Sequence, residues 1–190
     1  MALFYNWFFP AVWILWLLYW QSKATGTKAT ARLEGPVSRL VRAIVFIAAI
    51  ILLSVPNLPS VFLYRSFLRQ GPMPFFAGAG LTIAGLLFTV WAREHLGKNW
   101  SRSVTVKQNH ELITSGPYAL VRHPIYTGIL TGFLGSAIAE GQVRSLIAFV
   151  LVSAVLWFKL RLEERWMQET FGDSNAAYSR RVAALVPYVL

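Results

Sequence analysis

The sequence contains no cysteine. A disulfide framework, a Cys-ligated zinc site and thiol catalysis are therefore excluded. Charge is scarce as well: 14% of the 190 residues are Asp, Glu, Lys or Arg, against roughly a quarter in a soluble domain. Acidic residues are the scarcest, eight against eighteen Lys and Arg, which leaves a formal net charge of +10. No HExxH or paired-carboxylate spacing occurs, and His110 and His123 share no helix face, so no metal site is expected. No Ser lies in a GxSxG turn, and no glycine-rich loop leads into a helix through Lys-Ser/Thr. Internal repeats and low-complexity tracts are missing too. The N-terminal run lacks the basic region and small-residue cleavage site of a signal peptide.

What is abundant is hydrocarbon. Hydrophobic residues make up 56% of the chain and aromatics 15%, with a mean hydropathy of +0.50. These values point to an all-α integral membrane protein of one compact bundle. Its excess of Lys and Arg then suits loops and anionic headgroups rather than nucleic acid. Residues 3–20, 43–63 and 75–92 are apolar runs of roughly spanning length. Trp7 and Trp20 lie near the two ends of the first, where aromatic rings favour headgroup level. After Pro124, about 35 mostly apolar residues run to Lys159, interrupted by Glu140-Gly141-Gln142. That length suits a hairpin of two short helices. About five transmembrane helices are therefore expected, in an N-terminal three-helix region 1–92 and a C-terminal region 93–190. Gly78, Gly80, Ala84 and Gly85, and again Gly128, Gly132 and Ser136, offer small surfaces for close helix approach. The tail from Leu160 to Leu190 is amphipathic, with a break at Phe171-Gly172-Asp173. With five spans, every Lys and Arg except Arg65, Arg69 and Arg144 falls on one side. By the positive-inside rule that side is cytoplasmic, with the N-terminus outside and the C-terminus inside.

Three polar sets converge on this cytoplasmic side: Asn99-Trp100-Ser101, the segment His110 to Tyr126, and Lys159 to Glu164. The central one belongs to HELITSGPYALVRHPIYTG, residues 110–128, which holds two of the chain's three His, two Tyr, two Pro, two Gly and one Arg. Gly116-Pro117 and His123-Pro124 break the backbone pattern, because proline lacks an N–H and restricts the residue before it. The residues between them are expected to make about one helical turn in a pocket wall at the membrane boundary. Intramembrane and interfacial polar groups of this density usually serve function. Lys159 and Glu163 are four apart and share a helix face, whereas Arg161 and Glu164 face elsewhere. Spacing alone leaves open whether these four are a site or a solvated helix end.

GPYALVRHPIYTG, preceded by LGKNWS and HELI and followed by LEERWMQETFG and a final VP, resembles the isoprenylcysteine carboxyl methyltransferase family and its bacterial and archaeal relatives. The resemblance covers about residues 93–187. It implies an S-adenosylmethionine-dependent methyltransferase whose cytosolic cofactor pocket is built by the C-terminal half. The implied cofactor contacts are His110, Glu111, Leu112, Ile113, Tyr118, His123, Pro124, Ile125, Tyr126 and Glu163. Lys159, Arg161 and Glu164 are the implied catalytic residues. Family members carry Arg where this chain has Lys159, and a Tyr where it has Asn175. The implied acceptor is a lipophilic molecule from the bilayer, a prenylcysteine-like carboxylate. Phospholipid amines, small lipophilic amines or thiols, sterol-type NAD(P)H reduction and a non-catalytic bundle are the alternatives.

Overall fold

The computed structural model describes residues 2–23, 30–55, 58–97, 100, 105–107 and 112–187. Among them the chain forms α1 (Ala2–Ser22), β1 (Thr30–Leu33), α2 (Pro36–Ser54), α3 (Pro72–Leu96), β2 (Thr105–Lys107), α4 (Pro124–Glu140), α5 (Val143–Phe171) and α6 (Asp173–Arg181). Proline opens α2, α3 and α4, where its missing N–H removes a donor that would have no helical partner anyway. Gly141 ends α4 in the left-handed region at φ +63°. A Cβ there would also stand 2.8 Å from the Leu68 carbonyl oxygen, so the tight turn into α5 requires glycine.

α1 and α3 match the apolar runs read from the sequence, and α2 begins at Pro36 rather than near residue 43. α5 departs most from expectation: it does not stop at Lys159 but continues unbroken to Phe171, 29 residues in all. The charges after Lys159 mark where apolar character ends, but Leu, Glu, Arg, Met and Gln are good helix formers and the backbone ladder continues through them. The short antiparallel pair of β1 and β2 was also unforeseen.

Three helices, α2, α3 and α5, are long and apolar enough to cross a membrane, with mean hydropathy of 2.2, 1.8 and 1.9 in their best windows. Large apolar side chains stand exposed along the outside of the bundle, among them Val37, Leu40, Ile44, Ile47, Leu87 and Phe158. Such a surface suits hydrocarbon rather than water. α4 is the shorter, inner helix. Its Tyr126, Ile129 and Phe133 pack with Ala148, Val152, Leu156 and Leu160 of α5 and with Ala49 of α2.

α3 and α4 run antiparallel with their backbones nearly touching. A Cβ on Gly85 would lie 2.6 Å from the Gly128 carbonyl oxygen and 2.7 Å from the Gly132 nitrogen. In lipid the hydrophobic effect does not drive helices together, so dispersion at such glycine contacts and interhelical hydrogen bonds carry the association. The Thr82 hydroxyl accordingly donates to the Gly132 carbonyl (3.1 Å). The indoles of Trp13 and Trp16 tie α1 to Ser136 (3.1 Å) and Thr89 (2.7 Å). At one end of the bundle Arg144 donates to the carbonyls of Leu52 (3.1 Å) and Val55 (2.9 Å) and to Glu140 (2.8 Å). The segments that carry the candidate residues gather at the opposite end.

Two glycines five residues apart on α3 test this packing. Gly85→Ala is expected to destabilise the bundle by about 1–3 kcal/mol, because its Cβ overlaps backbone that cannot give way. Gly80 has nothing within 4 Å of its Cβ position, so Gly80→Ala is expected to leave the detergent-solubilised thermal midpoint unchanged or slightly raised. Equal losses in both variants would show that the helix contact is not what glycine provides.

Candidate active site

The site is built where α4 begins. Gly116–Ala119 forms a single 3-10 turn that buries Pro117 and Tyr118. Pro124 then starts α4, leaving His123 at its N-cap. Facing His123 are two successive carboxylates of α5. His123 Nε2 lies 2.5 Å from Glu164 Oε1, and Nδ1 lies 3.6 Å from Glu163 Oε2. Arg122 closes on Glu164 with a two-pronged contact, Nε and Nη2 each donating at 3.0 Å. Tyr126, one turn into α4, stacks on the His123 ring at 5.4 Å with an 8° tilt. Its hydroxyl interacts electrostatically with Glu163. The Lys159 ammonium reaches the same carboxylate at 3.8 Å and stands 5.0 Å from the centre of the Tyr126 ring.

The C-terminal tail straps this cluster in place. The backbone N–H groups of Arg122 and His123 donate to the carbonyls of Ala183 (2.9 Å) and Ala184 (3.0 Å). Thr127 Oγ1 donates to Leu185 O (2.7 Å). Arg122 also donates to the carbonyls of Ser179 and Val182. From α6, the Tyr178 hydroxyl donates to the Tyr118 carbonyl (2.5 Å). Burial pushes the Tyr178 pKa up to about 12, which keeps that donor protonated across the physiological range. On the other side His95, at the end of α3, lies 2.9 Å from the Ser115 hydroxyl and stacks on Tyr118 at 6.4 Å.

The structure thus brings Tyr118, His123, Pro124, Tyr126, Lys159 and Glu163 to one place. Leu112 and Ile113 are half-buried just before the 3-10 turn, and Ile125 packs on the core beside Tyr126. His110, Glu111, Asn99 and Ser101 lie outside the described residues. Trp100 is buried, with the Arg93 guanidinium 4.3 Å above its ring. Arg161 is not in the cluster: it is exposed and lies against Trp157, 5.7 Å from the ring centre. Glu164 is held by Arg122 and His123 and so serves as a clamp. Asn175 is buried and donates to Gln168 (3.1 Å). Sequence reading missed three groups. Arg122 stood inside the motif, but its partner lies 42 residues away. His95 carried no local signal. Arg42 of α2 is ion-paired with the buried Glu34, and it interacts electrostatically with Tyr126, Glu163 and Lys159.

Between α1 and α2, backed by α4, runs an apolar slot of about 290 Å³ lined by Trp13, Trp16, Phe46, Ile50, Ile129 and Phe133. The slot runs from Ser54 and Glu140 to Phe46 and Ile129, which each stand about one helical turn from Arg42 and Tyr126.

Residues 73–174, just over half of the chain, match the phospholipid methyltransferase family. The chain belongs to that family. It is 37% identical over 99 residues to the protein-S-isoprenylcysteine O-methyltransferase of Schizosaccharomyces pombe, a match covering 49% of this chain and 41% of that protein. It is 33% identical over 115 residues to protein-S-isoprenylcysteine O-methyltransferase A of Arabidopsis thaliana, covering 58% and 52%. Methanethiol S-methyltransferase 1 of Bradyrhizobium diazoefficiens is 33% identical over 72 residues, covering 37% and 24%. The chain spans about half the length of the isoprenylcysteine methyltransferases it matches. These relatives bear out the resemblance drawn from the motifs, and with the three apolar helices they mark this family member as a membrane protein.

Burial alone would lower the His123 pKa, but hydrogen bonds and charge from Glu163 and Glu164 outweigh it and raise the pKa above the ordinary histidine value. A group that binds its proton more tightly in the folded state stabilises fully below its unfolded pKa, near 6.5 for His, and loses that contribution as pH rises through the folded value. The stability gap between wild type and His123→Gln is therefore expected to be wide at about pH 6 and to shrink toward about pH 9. Thermal unfolding across that range measures it; a gap that widens with pH would contradict the imidazolium.

Proposed function

We propose that this family member transfers a methyl group from S-adenosylmethionine to a carboxylate on a lipophilic, isoprenylcysteine-like acceptor. The observation that carries the reading is the meeting of Glu163, His123, Tyr126 and Lys159 about one helical turn beyond an apolar slot. The donor set fits the cofactor. Glu163 offers a carboxylate to a cationic group, and Tyr118 and Tyr126 offer aromatic faces, which attract cations. Leu112 and Ile113 supply apolar wall beside the turn. When bound, S-adenosylmethionine would supply an electrophilic methyl on a sulfonium, and the electron pair of the carbon–sulfur bond would stay on sulfur as the methyl passed to an acceptor oxygen.

A carboxylate is already ionised near neutral pH, so no general base is needed. The protein has to align the reactants and exclude water. His123 fixes the direction of Glu163 while Glu164 and Arg122 fix His123. Lys159 faces the same carboxylate from one turn away and is placed to meet an anion, which favours it over Arg161 as the acceptor's partner. The slot between α1 and α2 takes the acceptor's apolar tail directly from the bilayer. The methanethiol methyltransferase among the relatives supports a thiol as the second reading; with a thiol acceptor Lys159 would be dispensable.

We further read α1 and α4 as spans, giving five. The basic residues then put the site on the cytoplasmic face and the N-terminus outside. Cysteines introduced at Phe67 and Leu120 are expected to react with an impermeant reagent from opposite sides of sealed vesicles. Reaction from one side would end this topology.

The test of function is direct. S-adenosylhomocysteine should raise the thermal midpoint and NADPH should not. Labelled S-adenosylmethionine with a membrane lipid extract should yield a base-labile methyl ester. Glu163→Gln is expected to weaken S-adenosylhomocysteine binding about tenfold or more, the scale of a lost charge-assisted hydrogen bond. Lys159→Ala is expected to raise the acceptor KM and leave that affinity nearly intact. No midpoint shift with S-adenosylhomocysteine would sink the proposal.

A further inference from the structure

The reading above leaves Arg42 unexplained. It comes from α2, outside the residues matched by the family. Ala49, seven residues on, is fully buried in the core cluster that holds Tyr126, Ile129, Phe133, Ala148, Val152, Leu156 and Leu160, and Phe46 packs on that cluster. Seven residues make two helical turns, so Arg42 continues this inward stripe toward the site. Its side chain is only 14% exposed.

A guanidinium has two edges that can grip a carboxylate: the two terminal nitrogens, or Nε with one of them. Glu34 occupies the first. Its two oxygens accept from Nη1 and Nη2, and Nη1 also donates to Ser38 (3.3 Å). The second edge makes no hydrogen bond to any described residue. Glu34 therefore fixes the plane of the fork and leaves two parallel donors in place.

The charges around that edge favour an anion. Arg42, from α2, and Lys159, from α5, are near enough for their like charges to interact. Glu163, the carboxylate nearest Lys159, is shared with His123 and Tyr126. Among the described residues, and with His123 as imidazolium, four cations (Arg42, Arg122, His123, Lys159) face three carboxylates (Glu34, Glu163, Glu164). A buried ion pair such as Glu34–Arg42 adds little stability over apolar residues of similar volume, so stability does not account for it.

We propose that the free edge of Arg42, together with the Lys159 ammonium, holds the anionic end of the acceptor, and that Glu34 positions the fork. This rests on the methyltransferase reading above. Arg42 is then a specificity-determining residue: its fork fits a planar carboxylate, while Lys159 contributes a point charge. The apolar slot, one turn away, takes the tail of the same molecule.

The test uses the full chain in nanodiscs and two probes, S-farnesylthioacetic acid and its methyl ester, with intrinsic tryptophan fluorescence as the readout. Wild type is expected to bind the acid at least about tenfold more tightly than the ester, the scale of one charged contact. Arg42→Ala and Arg42→Gln should each erase most of that preference. Arg42→Lys should recover only part of it, since it restores charge without the fork. Glu34→Gln, which keeps the guanidinium but loosens it, should cost less than Arg42→Ala. S-adenosylhomocysteine affinity should change less than the acid preference in all four, because Arg42 reaches Glu163 and Tyr126 only through charge.

Equal binding of acid and ester by wild type would overturn the assignment. So would full acid preference in Arg42→Ala, or a loss in Glu34→Gln as large as that in Arg42→Ala, which would mark a structural pair. If wild type does not bind S-adenosylhomocysteine, the methyltransferase reading fails by itself. The acid-over-ester preference, read in the same samples, still decides Arg42.

Discussion

Glu164 is the carboxylate on which the site's geometry hangs. One oxygen meets both His123 Nε2 and Arg122 Nε, and the other takes Arg122 Nη2. This fastens the beginning of α4 to the far half of α5, the two ends of one helical hairpin. Arg122 extends the connection, because its remaining donors reach the carbonyls of Ser179 and Val182. A guanidinium with five donors can serve two segments at once; a lysine could not hold this geometry. Loss of Glu164 would take the shared carboxylate from both Arg122 and His123, a costly outcome for such networks. With His123 fixed on Glu164, the neighbouring Glu163 is left to face Tyr126, Lys159 and the space beside them.

That clamp works only because α4 arrives at the right place, and lipid makes this a matter of backbone contact. Gly85 against Gly128 and Gly132 lets α3 and α4 approach until their main chains meet. The end of α3 is thereby brought beside the 3-10 turn, where the His95 ring fills the space under Gly116 and stacks on Tyr118. Small residues in the bundle and charged residues at its end are therefore one device. The first sets the helix axes; the second sets the side chains at their tips.

The two parts differed in how readable they were. The breaks at Gly116-Pro117 and His123-Pro124 were legible, since proline and glycine constrain backbone wherever they stand. So was the Lys159–Glu163 pair, whose spacing fixes a shared face. The same spacing argument separates Arg161 from them, and the structure turns it toward Trp157. The end of α5 was not legible from hydropathy, because the loss of apolar character marks a change of solvent and not of backbone. The strand pair of β1 and β2 was hidden for another reason: strands of four and three residues carry no usable period. Arg122 was visible as a residue and invisible as a clamp, and Arg42 gave no sign at all. Both act through partners that only the packing of helices brings near.

This contrast bears on how the work is divided along the chain. The family match begins at residue 73, and the 3-10 turn, His123, Tyr126 and the carboxylates of α5 all follow it. The walls that α1 and α2 give the slot, with Arg42 and Glu34, all precede it. The residues that would meet the cofactor are therefore those tied by local motif and by the Glu164 clamp, where small displacements would cost alignment. The residues that would meet the acceptor include side chains from helices with wide lipid exposure, such as α2. On the proposed reading, a common methyl-transfer centre would in this way be combined with different lipophilic acceptors, the choice falling to α1 and α2.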